Sequence, residues 1–223
     1  MKSRLIAVSG TGTAVGKTHF AEALLRFYAA RFPRVIGLKP IETGLCEASV
    51  SDAARLERAS TFHVQHFGHA FAEPLSPHLA ARRSGQAPIR IEPLVAMISE
   101  VRDQSDVVVV ELPGGLFTPI SDTTVNADLV RELDADAIVL VAPDRLGVLH
   151  DVLSTTRAAQ SIAVDVVGIV LVAPEIADAS TGHNAAELTH LLQPPILLTL
   201  PRADVVELSR HPAMIQISDY FGE

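Results

Sequence analysis

The chain has 223 residues, nearly half of them hydrophobic and one fifth charged, with a formal net charge of −8 and one cysteine, Cys46. That balance fits a globular protein and gives no case for disorder, and with no basic cluster beyond Arg82-Arg83 the acidic charge argues against nucleic-acid or membrane-surface partners. A lone cysteine excludes an internal disulfide and a thiolate metal site, and no apolar run approaches a membrane span, so the expectation is one cytoplasmic domain over residues 1–223.

In chain order, the apolar run Leu5–Val8 predicts a strand, and Phe20–Ala30 a helix. Between them lies Ser9-Gly-Thr-Gly-Thr-Ala-Val-Gly-Lys17-Thr18. A loop whose backbone N–H groups face phosphate oxygens needs side chains absent where the ligand comes close, and Gly10, Gly12 and Gly16 meet that need. Lys17 supplies a compact cation for the β- and γ-phosphates, Thr18 a hydroxyl for Mg²⁺, and the helix N-terminus a partial positive charge. Five residues separate Gly10 from Gly16, one more than the usual P-loop spacing. The alternative is a glycine-rich turn with an unrelated lysine.

Further strands are expected at Val35–Leu38, Val107–Val110, Ala137–Ala142, Val166–Val172 and Ile196–Leu200. Helices are expected at Leu94–Val101, Val125–Leu133, Val148–Ile162 and Ala185–Leu192. The strand runs are continuous rather than alternating, as in strands buried on both faces. The fold class is therefore α/β: a single-domain, mostly parallel sheet with helices on both faces, P-loop NTPase-like.

Ligands in such a sheet bind beyond the carboxyl ends of the strands. There stand Lys39-Pro40-Ile41-Glu42-Thr43-Gly44, then Ser51-Asp52, then Glu111-Leu-Pro-Gly114-Gly115, then Pro143-Asp144-Arg145-Leu146-Gly147. Lys17 and Lys39 as cations, Asp52 and Glu111 as carboxylates and Thr18 as a hydroxyl are a set suited to phosphoryl transfer with Mg²⁺. Taken singly, each carboxylate could equally be a cap or turn residue, and Lys39 a surface lysine. Gly114-Gly115 fits either a backbone contact to ligand or a tight turn. His63, His66 and His69 are spaced three apart, but with no carboxylate or cysteine between them they read as surface or packing residues rather than a zinc site.

With these residues assembled, the chain resembles the dethiobiotin synthetase family. The resemblance rests on the long P-loop, Lys39-Pro40 with Thr43-Gly44, Ser51-Asp52, Phe71-Ala-Glu-Pro-Leu-Ser-Pro-His78, Glu111 with Gly114-Gly115, Phe117-Thr-Pro-Ile-Ser-Asp-Thr123 and Leu146-Gly147. It implies that 7,8-diaminopelargonic acid, CO₂ and ATP are the substrates, with Mg²⁺ as cofactor and a carbamate intermediate. It further implies that Gly12, Thr13, Ala14, Val15, Gly16, Lys17, Thr18, Glu111 and Gly114 hold the nucleotide, and that Thr18, Asp52 and Glu111 hold the metal. Lys39, Lys17 and Thr43 would be catalytic, with Lys39 and Thr43 on the carbamate and the transferring phosphoryl group. The family is similar in forming a homodimer, with the distant substrate carboxylate at a helix N-terminus, here Gly147, Val148, Leu149 and His150, whose free N–H groups suit an anion.

The chain departs from the family pattern at four places. His150 stands where asparagine is frequent, Gly12 where an acidic residue is common, and Leu112-Pro113 where the family has Gly-Ala, a change that should stiffen the loop. Val172-Ala173 replaces the asparagine that reads adenine in many members, so ATP is the expected nucleotide with base preference left open. Two other readings are a partition-type ATPase or amide ligase of the same fold, and a nucleotide-binding regulator without turnover. The first usually carries an early loop lysine, and here Ser9-Gly10 stands in that region.

Overall fold

The valine run Val107–Val110 alternates between two cores, and that alternation sets the architecture. In the computed structural model, which describes residues 3–46, 50–64 and 68–222, six parallel strands form one sheet. They are β1 (Arg4–Gly10), β2 (Val35–Leu38), β5 (Val107–Glu111), β6 (Ala137–Pro143), β7 (Gly168–Val172) and β8 (Ile196–Leu200), in the order β2-β5-β1-β6-β7-β8. Two three-residue strands, β3 (Ile41–Thr43) and β4 (His69–Phe71), pair in parallel as a separate ribbon. All six runs expected to be strands are present, and β7 begins at Gly168 rather than Val166.

Leu5, Ala7, Val108 and Val110 face one core, while Ile6, Val8, Val107 and Val109 face the other. The first core is covered by α3 (Pro77–Arg83), α4 (Ile91–Asp103), α5 (Asn126–Glu132), α6 (Val148–Gln160) and α7 (Asn184–Leu192). The second is covered by α1 (Lys17–Ala29), α2 (Asp52–Ala59), α8 (Val205–Ser209) and α9 (Ile215–Tyr220), with a 3₁₀ turn at Pro212–Met214. Each valine of the run is fully buried, and burial of such a side chain stabilises by roughly 1.5–3 kcal/mol relative to exposure. Two-sided burial explains why the run does not alternate with polar residues.

The chain leaves β1 toward β2 on one side and leaves β5 toward β6 on the other. Connections that diverge from neighbouring strands open a crevice beyond their carboxyl ends. The loops after β1, β2 and β5 line it. Among the described residues no helix is long and apolar enough to cross a membrane.

Candidate active site

The loop after β1 is anchored at its start by the Thr11 N–H, which donates to the Val141 carbonyl (3.0 Å). It ends at Gly16, the residue before α1, with φ +96°, a left-handed conformation that L side chains rarely adopt. Lys17 opens α1, and its Nζ donates to the Gly12 carbonyl (2.7 Å). Burial, then the charge of Lys39, lowers the Lys17 pKa to about 8, with Glu111 and Asp52 opposing. Thr18 donates through Oγ1 to Glu111 Oε1 (2.9 Å).

Glu111 ends β5 fully buried. Lys39, just past β2, places Nζ 2.5 Å from Glu111 Oε1 and 3.4 Å from Asp52 Oδ2. Burial pushes the Glu111 carboxyl upward, while the Lys39 charge and the bonds from Lys39 and Thr18 oppose that shift. Asp52 is the first residue of α2, whose N-cap is Ser51, accepting from the Ala54 N–H (3.1 Å). The cap role therefore belongs to Ser51, and the Asp52 carboxylate is directed to Lys39.

These groups line one cleft of about 640 Å³, together with Thr13, Ala14, Val15, Gly16, Thr43 and Gly114. Lys17, Thr18, Lys39, Asp52 and Glu111 are thus brought together. Gly12 is not among the lining residues, and a Cβ there would meet only Val15 Cγ1, at 4.0 Å, so no protein neighbour demands glycine at this position. A Cβ at Gly115 would come 3.1 Å from the Gly10 carbonyl oxygen, so the loop after β5 packs directly on the P-loop. Its N–H donates to Thr118 Oγ1 (2.8 Å), which assigns Gly115 to the loop's own packing; Gly114, at φ +63°, lines the cleft. Buried Asn126 pins the same loop by donating to the carbonyls of Pro113 (2.6 Å) and Gly115 (2.8 Å).

Gly147, Val148, Leu149 and His150 are not among the residues lining this cleft. Gly147 (φ +96°) precedes α6 without a side-chain cap. The Val148 N–H is not free, as it donates to the Arg145 carbonyl (3.0 Å), so an anion there would be left with the N–H groups beyond it. Among the histidines, exposed His63 pairs with Glu57 (3.3 Å), His69 stacks on Phe71, and His66 lies outside the described residues. Among the described residues there is no metal-binding group of three or more His, Cys, Asp or Glu.

Sequence reasoning missed Glu42 and Arg55, both lining the cleft. Arg55 pairs with Glu22 of α1 (3.0 Å), and its signal was the three-residue spacing from Asp52 on one helix. A second cavity of about 460 Å³ adjoins the P-loop at Gly16 and His19 and is lined by Val172, Ala173, Pro201, Arg202 and Ala203.

A family profile described as an AAA domain matches residues 4–210. The chain is 35% identical over 193 residues to the ATP-dependent dethiobiotin synthetase BioD of Corynebacterium diphtheriae, with 86% of each chain covered. It is 32% identical over 208 residues to the ATP-dependent dethiobiotin synthetase BioD 1 of Escherichia coli K12, covering 89% of this chain and 91% of that one. The septum site-determining protein MinD from Pyrococcus horikoshii, solved with Mg-ADP, superposes with a TM-score of 0.61 at 14% identity over 99% of this chain and 96% of that one, a likeness of fold alone.

Proposed function

The chain belongs to the dethiobiotin synthetase family, and from that premise we propose that it closes the ureido ring of dethiobiotin from 7,8-diaminopelargonic acid, CO₂ and ATP, releasing ADP and phosphate. One amine takes up CO₂ as a carbamate. A carbamate oxygen attacks the γ-phosphorus as the bond to the bridging oxygen breaks and ADP departs. The second amine then attacks the carbonyl carbon of the mixed anhydride, and phosphate leaves.

The observation that supports this reading is the meeting of Lys17 and Lys39 in one cleft, with Thr18, Asp52 and Glu111 beside them. An anionic nucleophile approaching an anionic phosphoryl group needs cations and positioning more than it needs a general base. Lys17, at the first turn of α1, holds the phosphate tail against the loop's N–H groups. Lys39, just past β2 at the same rim of the sheet, steadies the carbamate and the transferring group, with Thr43 as a further donor.

A hard dication fits these residues. Glu111 Oε2 is buried without a hydrogen-bond partner among the described residues, and the groups beside it that could ligate a cation, the Thr18 hydroxyl and the Asp52 carboxylate, offer oxygen. Asp52 and Glu111 also offset the two lysines, so the cleft alone has little positive charge to spare for a triphosphate. Thr18, Asp52 and Glu111 would hold Mg²⁺, which when bound neutralises phosphate charge and stabilises the departing oxygen.

Gly147–His150 lie outside this cleft, and we assign them to the carboxylate of a substrate shared across a homodimer. In support, Leu146, just before α6, exposes a large apolar side chain (75%), as does Ile176 (84%), two residues before the Asp178 that accepts the Leu146 N–H. The test is phosphate release and product formation with the diamine, bicarbonate, Mg²⁺ and ATP. Turnover should require the diamine. Phosphate release indifferent to it would mark a plain ATPase, and none with any nucleotide a silent binding module.

A further inference from the structure

Asp52 reaches the cleft differently from the other charged groups. Glu111 is fixed by the β5 ladder and Lys17 by the first turn of α1, but Asp52 begins an eight-residue helix. Glu42, on β3 and three residues past Lys39, is buried to 9% exposure and turns its carboxylate onto that helix start. Oε1 accepts the Asp52 N–H (2.6 Å) and Oε2 the Ala53 N–H (3.1 Å).

Ser51 already caps this helix through Ala54, so the helix end does not lack a cap. A second, buried carboxylate costs desolvation and puts negative charge in the wall of a cleft that receives anions. What it adds is geometry. The Arg55–Glu22 pair ties the body of α2 to α1, and Glu42 fixes the orientation of its first residue relative to the short stretch of chain that carries both Lys39 and Glu42. Asp52 is thereby located against both lysines.

We propose that Glu42 is a positioning residue for the reaction, holding the Asp52 carboxylate where it can ligate the metal and face Lys39 through its two bonds to the Asp52 and Ala53 N–H groups. The proposal rests on the ring-closure reading only in treating Asp52 as a metal ligand. Groups one step removed from a metal site change affinity or activity by about 10–100-fold when lost.

The test measures Mn²⁺ binding by electron paramagnetic resonance with a non-hydrolysable ATP analogue, alongside steady-state kinetics. Glu42→Ala should weaken Mn²⁺ binding about 10-fold or more. It should lower kcat while leaving the KM for ATP within about twofold, since the nucleotide's own contacts are intact. Glu42→Gln keeps one acceptor oxygen and should recover part of both losses. A folded Glu42→Ala with wild-type Mn²⁺ affinity and kcat, or with a loss confined to thermal stability, overturns the proposal. If Glu42→Ala does not fold, wild-type Mn²⁺ affinity in Glu42→Gln overturns it equally. A wild-type protein that binds Mn²⁺ and nucleotide but makes no dethiobiotin would sink the ring-closure reading and leave the Mn²⁺ comparison standing.

Discussion

Lys39 Nζ and Glu111 Oε1 stand 2.5 Å apart in a setting where both side chains are almost wholly buried, at 6% and 1% exposure. Each is the other's main charge partner, and the two come from adjacent strand ends 72 positions apart in sequence.

Replacing Lys39 by alanine removes a cation from the reacting centre while leaving the P-loop intact. Turnover should fall by about 10²–10³-fold with nucleotide binding retained. The change also strands the buried Glu111 carboxylate, and loss of one partner of a buried pair costs roughly 3 kcal/mol. Denaturant midpoints and product formation read the two effects separately. A variant with undiminished product formation removes Lys39 from the mechanism.

The lowered Lys17 pKa, about 8, gives nucleotide binding a basic limit. Bound phosphates favour the ammonium form, so binding is undiminished below that pKa. Above it the free protein must first take up a proton. Affinity should fall toward about tenfold per pH unit beyond pH 8. Titration of the nucleotide dissociation constant across that range checks it, and a flat profile through roughly pH 9.5 rules it out.

Nucleobase choice should be relaxed. In the cavity beside Gly16, the Val172 carbonyl already accepts the Asp144 N–H (2.9 Å), and the Ala173 N–H donates to Leu200 (2.9 Å). The Ala203 carbonyl is engaged by His19 Nε2 (2.8 Å). Apart from the Arg202 guanidinium, which donates and cannot accept, no side chain lining the cavity is left to read a base edge, and a largely apolar pocket discriminates by only about 10²-fold, against 10⁴ or more for one built on hydrogen bonds. GTP and CTP should therefore support turnover with kcat/KM within about 100-fold of ATP. A preference of about 10⁴-fold or more for one base would show a readout that Val172 and Ala173 do not provide.

The six-stranded sheet was legible because its strands are blocks of mostly aliphatic residues, those inside the sheet buried on two sides as Val107–Val110 is, while edge strand β8 exposes Thr199. The β3–β4 ribbon was not, since three-residue strands such as Ile41-Glu42-Thr43 leave no run to detect. Helix α2 escaped for a related reason: only Leu56 and Ala59 are buried in it, and apart from Ala53 and Ala54 its other residues are charged. Val148 is the observed start of α6, but α1 begins at Lys17 before the expected Phe20, because its first turn carries the loop's polar residues, and α4 at buried Ile91 before the expected Leu94, because Glu92-Pro93 interrupts the apolar run. In the site, residue types that phosphate and metal require announced themselves at strand ends. Glu42 did not, because its partners are backbone N–H groups that the sequence does not write down.

The two cores on opposite sides of the sheet divide the cleft along a seam. Lys17 and Asp52 ride on helices rooted in one core, whereas the loop bearing Gly114, with α5 behind it, is rooted in the other. Loosening a side chain deep in the layer under α1 therefore disturbs the floor of the cleft, and loosening one under α5 disturbs the roof. Distant core variants sort into these two kinetic kinds according to which way a strand residue points, so its parity along the strand forecasts which half of the machine it unsettles.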